Sequence, residues 1–176
     1  MMNFQAILNE SPKNEGFSLN PNRLVGSYLT LSDSNNTANK SQTSHCAVLG
    51  NISFAKGIHK WSVSLKERKN WCGEYWLMVG VHSRPTDLKT HPNGDSGVYG
   101  ASISNNMNGW ITKAGQTEYK QLRKVNPGDI VSISLDCDNG KLDFKHKDWI
   151  EQIDVPKLVE LTPYFDPYDL DFSLVF

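Results

Sequence analysis

The sequence predicts an all-β protein, a sandwich or barrel of short antiparallel strands, and three observations carry that prediction. No segment holds a helical apolar period for three turns. Several segments alternate instead, as in 57–65 (GIHKWSVSL), where His59, Trp61, Val63 and Leu65 share one face and Lys60, Ser62 and Ser64 the other. Turn residues punctuate the chain at close spacing, above all NPGD at 126–129 and DNG at 138–140.

The elements follow in order. Residues 1–16 read as an N-terminal extension, in which Phe4, Ile7 and Leu8 share a short amphipathic turn that SPKNEG at 11–16 interrupts. Residues 17–176 read as one sandwich domain. The stretch 27–31 (SYLTL) alternates, 32–44 is polar and predicts a long surface loop, and 46–49 (CAVL) predicts a short buried strand. Residues 75–82 (YWLMVGVH) are apolar on both faces, as in a central strand covered on each side. A loop with two prolines and two glycines spans 83–97, before short strands at 98–102 and 110–112. Residues 130–136 and 141–145 form a hairpin, with Asn139-Gly140 tolerating the positive φ of a type I′ turn. At the C-terminus, Leu170, Phe172, Leu174 and Phe176 alternate inward.

Composition narrows the function. A chain of 176 residues with 5 Trp, 6 Tyr and 7 Phe can bury a core without disulfide or metal staples. A net charge of -1 gives no broad electropositive field, so nucleic acid is not an expected partner. Cys46, Cys72 and Cys137 are odd in number and widely spaced, which predicts neither a zinc knuckle nor a secreted disulfide framework. No apolar run is long enough to span a bilayer, and residues 1–20 lack a signal-peptide pattern, so no membrane partner is expected and the protein is placed in the cytosol or nucleus.

Catalysis finds no support. There is no GxSxG elbow, no HExxH and no phosphate loop. His59 is assigned to the core, beside Trp61, donating an N–H to a backbone carbonyl. His45 and Cys46 are adjacent and therefore face opposite sides of a strand, and Cys72, a thiol in a loop between Trp71 and Gly73, has no neighbour in sequence that would strongly activate it. Asp166, Asp169 and Asp171 form an oxygen-rich cluster, but they lack the calcium-loop spacing, and Asp169 and Asp171 are expected on a solvent face. No cofactor, metal or enzymatic activity is expected. Trp61, Trp76 and Trp110 read as core, whereas Trp71 and Trp149 read as covering a sheet edge or touching a partner. The basic residues at 66–69 and 120–124 read as solvated edges.

The order of these pieces resembles the SPRY family, with a PRY-like stretch before it. LNPNRLVGSYLTLSDSNNTA at 19–38 is similar to the PRY segment. VLGNISFAKGIHKWSV at 48–63 is similar to the Gly-x-His-x-Trp-Glu-Val strand and its approach, with Ser62 in place of the glutamate. WLMVGV at 76–81, LDCDNGKLDF at 135–144 and LTPYF at 161–165 resemble three further motifs, Thr162 standing where the family has tyrosine. The resemblance covers 17–176. It implies a bent, concanavalin-like jelly-roll sandwich of two antiparallel sheets, and a recognition module for a protein or peptide segment, as in the substrate-choosing end of ubiquitin ligases and adaptors.

Such a module needs adaptable loops at one end of a rigid frame. Three suit: 32–41, rich in Asn and Ser; 97–100 with the nearby 111–116; and 165–170 (FDPYDL). Positions matching the family's peptide-holding residues are Tyr99, Tyr168, Asp169 and Leu170; Asn36, Lys113 and Gln116 come from the neighbouring loops. The expected partner is a protein or peptide bound by a monomeric domain. A carbohydrate- or small-ligand-binding sandwich, with Tyr168 as platform and Asp166 and Asp169 as polar partners, is the alternative.

Overall fold

Alternation sorts almost every side chain into one of two layers. The computed structural model describes residues 16–66, 75–89, 91–105, 108–122, 124–147 and 149–175. The readings of Phe4, Ile7, Leu8, Trp71, Cys72 and Phe176 lie outside the described residues. The strands are β1 (Leu19–Val25), β2 (Leu29–Ser32), β3 (Thr37–Lys40), β4 (Ala47–Gly50), β5 (Ile58–Lys66), β6 (Trp76–His82) and β7 (Val98–Ser104). They continue with β8 (Asn108–Lys113), β9 (Gln116–Gln121), β10 (Ile130–Asp136), β11 (Lys141–His146), β12 (Trp149–Asp154), β13 (Thr162–Tyr168) and β14 (Asp171–Val175).

Two seven-stranded sheets result, all pairs antiparallel and without a helix among the described residues. The first runs β1-β4-β13-β6-β7-β8-β9; the second runs β12-β11-β10-β5-β14-β3-β2. In the second sheet Val63 pairs with Val131 and Leu174, so one inward position repeats across three strands. Trp61, Val63 and Leu65 face Leu77, Val79 and Val81 of the first sheet in one continuous core. Removing each of these aliphatic side chains from water contributes about 1.5–3 kcal/mol. At the β9 and β12 edges the layers are joined by an ion pair, Lys120 Nζ to Glu151 Oε1 at 2.5 Å.

Several local expectations change. The polar stretch after β2 is not all loop: residues 37–40 are β3, and Thr37, Ala38 and Lys40 are buried. Lys40 is accommodated because its ammonium bonds Ser44 O, Ser44 Oγ at 3.0 Å and Cys46 Sγ at 3.0 Å. Polar side chains hid a strand because their partners lie in the sandwich end. Residues 116–121 and 149–154 are likewise strands, each at a sheet edge where little apolar signal is needed. Trp149, half-buried, packs over the core at the β12 edge. The 136–141 connection is a four-residue loop with only Gly140 at positive φ, closed by Asp136 accepting the Asn139 N–H at 2.9 Å, rather than a two-residue type I′ turn.

His59 does donate to a backbone carbonyl, Lys56 O at 2.6 Å. Its ring, however, stacks on Phe54 at 3.8 Å rather than on Trp61, and it is half-exposed at the end of the core. An imidazole bonded to a backbone carbonyl and stacked on phenylalanine is structural.

Candidate functional site

The outer face of the first sheet gathers aromatic rings. β6 and β13 alternate like any strand, but their outward residues are large: Trp76 and Met78 on one, Tyr164 and Tyr168 on the other. Tyr168 and Trp76 are register partners, so their rings stand side by side, 5.2 Å apart and 5° from parallel. The next strand, β7, presents Val98 at one end of this face and beyond it the small Gly100, Ser102 and Ser104. Over those small residues Trp110 of β8 leans to meet Trp76 edge-on, 4.9 Å away at 74°. The Trp110 N–H donates to Ser102 Oγ at 2.8 Å, which fixes its strand. Tyr119 and Thr117 of β9 complete that side.

The opposite wall comes from the segment before β4 and from the 83–97 loop. His45 lies 5.6 Å from Trp76, 5.1 Å from Tyr168 and 4.0 Å from His91 by ring centroids. Burial, then the His91 ring, then Lys40 hold the His45 imidazole down at about 4; burial also lowers His91. Both are therefore neutral at physiological pH. The loop itself is pinned by Asp95, which accepts from Lys89 N–H at 3.1 Å, Gly97 N–H at 3.0 Å and His82 Nε2 at 3.2 Å. Because His82 Nδ1 accepts the Arg84 N–H at 2.9 Å, Nε2 must carry the proton it gives Asp95.

Together His45, Trp76, His91, Asn93, Trp110, Thr117, Tyr119 and Tyr168 line a cleft of about 310 Å³. Tyr119 is 84% exposed at its rim. Two buried polar atoms of the residues in this lining, His45 Nδ1 and Thr117 Oγ1, have no hydrogen-bond partner among the described residues. Between Tyr164 and Tyr168 on β13, Asp166 is fully buried, and neither of its oxygens finds a well-aligned hydrogen-bond partner among the described residues. Burial pushes its carboxyl well above the usual range, against the smaller pull of the nearby Cys46 N–H and Lys40.

The structure sorts the sequence-chosen residues. Tyr168 lines the cleft. Tyr99, Lys113 and Gln116 cluster by register at the β8–β9 hairpin end, on the face opposite the cleft. Asn36 sits across the molecule in the turn before β3, its backbone carbonyl accepting the Leu174 N–H at 2.8 Å. Residues 165–168 are not loop but the end of central strand β13, so Asp166 faces a buried layer rather than solvent. Asp169 is also buried, at positive φ in the bend, and Leu170 is a core side chain, 2% exposed, without surface for a partner. Asp171 accepts the Lys40 N–H at 2.6 Å in the second sheet, so the three carboxylates do not converge.

Trp76 and Trp110 are corrected from core to cleft: both are half-buried. A signal existed. Trp76, Met78, Gly80 and His82 alternate with Leu77, Val79 and Val81, and only the second set is uniformly aliphatic.

No family profile matches this sequence, and no curated protein matches it. Solved structures do. The fold is similar to the TRIM65 PSpry domain, with a TM-score of 0.67 and 17% identity over 91% of this chain and 92% of that one. It is similar to the SPRY domain of human HERC1, with a TM-score of 0.67 and 13% identity over 89% of this chain and 96% of that one. Stonustoxin gives a TM-score of 0.59 and 16% identity over 90% of this chain and 27% of its own. The two stacked antiparallel sheets are a SPRY-type fold.

Proposed function

We propose that the protein is an interaction module that holds a segment of another protein in the aromatic cleft of its first sheet. One observation carries this reading: two Trp and two Tyr side chains meet in a half-open, uncharged cleft instead of being buried. Aromatic residues placed this way are the commonest anchors of protein interfaces. The frame is rigid, since strands supply five of the eight lining residues and Asp95 ties the loop that supplies two more. The SPRY-type fold supports the same reading, and substrate choice within a ubiquitin ligase or adaptor is the role we assign such a module.

Affinity capture tests it. Partners retained by the wild-type chain should be lost with Trp110→Ala and Tyr119→Ala and kept with Ser132→Val on the opposite sheet. Equal retention by all four proteins would remove the cleft from the interaction.

A further inference from the structure

The cleft also carries information about what enters it. None of its eight lining residues is Lys, Arg, Asp or Glu, and both of its imidazoles are kept neutral by burial. An ammonium or guanidinium guest would lose water without gaining a carboxylate. An anionic guest would meet no cation. A saccharide would bring many hydroxyl donors to a wall with few strong acceptors, because Asp166 and Asp169 lie outside the lining. What the wall offers is flat apolar surface with hydrogen-bond donors around it: indole and phenol groups and the Asn93 amide.

We infer that the segment received here is proline-rich and extended in the polyproline II form, an inference that rests on the interaction reading above. Proline rings are rigid and apolar and lie flat on indole and phenol faces. Proline has no N–H, so a run of prolines presents carbonyl acceptors alone, the complement of a donor-bearing wall without carboxylates. Thr117 Oγ1 and His45 Nδ1 are buried within the wall and add nothing to its accessible surface, so the donors a proline carbonyl would meet are those of the aromatic side chains and Asn93. The polyproline II helix is already extended and ordered before binding, which lowers the entropy lost on docking. A volume of about 310 Å³ suits a short stretch of rings rather than a folded surface.

The test uses the full 176-residue chain and four defined probes: a blocked decaproline peptide, a Gly-Ser peptide of equal length, a trimethyl-lysine peptide and maltohexaose. Calorimetry and tryptophan fluorescence should show saturable binding of decaproline alone. Tyr119→Ala and Trp110→Ala should each weaken it by about tenfold or more, with Ser132→Val unchanged. Tyr119 is so exposed that its loss cannot unfold the sheet. Absence of decaproline binding, preference for the saccharide or the methylated lysine, or indifference to both variants would overturn the inference. The two levels separate cleanly. Partners whose capture needs Trp110 but which decaproline does not displace would sink the proline inference and leave the interaction reading standing. Capture insensitive to Trp110 would sink the reading itself.

Discussion

The two outer faces of the sandwich obey the same alternation and end up opposite in character. On the second sheet the outward residues are mostly small or charged, Ser62 and Ser64 of β5, Ser132 and Ser134 of β10, Asp143 and Lys145 of β11, with Ile58, Ile130 and Ile150 exposed singly among them rather than gathered into a layer. The hydroxyls of Ser62 and Ser132 bond each other across β5 and β10, Ser62 Oγ to Ser132 Oγ at 3.2 Å. On the first sheet the outward residues are Trp76, Met78, Tyr164, Asp166 and Trp110, with the pinned 83–97 loop as one wall. A sheet face need not choose between core and solvent; it can hold an aromatic layer half-covered and ready for a third body.

The largest effect should come from the place where the first sheet has least room. Gly80 and Gly100 are register partners, and a Cβ on Gly80 would lie 2.0 Å from the Tyr99 carbonyl oxygen. Gly80→Ala should cost about 3 kcal/mol or more in urea unfolding. A milder loss would mean that β6 and β7 can separate. Asp166→Asn should act in the other direction. In the folded chain the carboxyl stays protonated, while the unfolded carboxyl ionises above its ordinary 3.8, so folding loses stability as pH rises from there. The amide abolishes that loss and should stabilise the protein by about 1–3 kcal/mol at pH 7, with the gain vanishing near pH 4.

His45 should show the reverse slope. Its folded value of about 4 lies below the 6.5 of the unfolded chain, so only the unfolded chain takes up the proton between them. Stability therefore falls as pH drops from 6.5 towards 4, and His45→Gln should flatten that limb of a melting-temperature profile. The smallest effect belongs to the other face. Ser132→Val, exposed on the second sheet, should stay within about 0.5 kcal/mol. A large loss there would show that the serine face, too, is covered in the working protein.

This contrast also explains what the sequence disclosed. The second sheet was legible because Trp61-Ser62-Val63-Ser64-Leu65 and Val131-Ser132-Ile133-Ser134-Leu135 separate polar from apolar at every step. The first was partly opaque. Large apolar side chains on both sides of β6 look like core whether the outer layer is buried or merely waiting for a ligand. Of the chosen site residues, Tyr168 reached the cleft because its bend precedes β14 as expected, whereas His45, His91 and Asn93 join it only through a pinned loop and a strand approach. Such long-range closeness leaves no local pattern. β3 and β9 escaped for a plainer reason: edge and near-edge strands can be built from polar residues when backbone pairing does the binding.

The anchoring of the 83–97 loop has one further result. Asp95 gathers side-chain bonds from positions 82, 89 and 97, so those three residues set the loop's footing around one carboxylate, while His91 and Asn93 between them face the cleft. Descendants of this gene could rewrite the intervening stretch, in length as well as chemistry, and inherit a new taste in partners without disturbing the scaffold beneath.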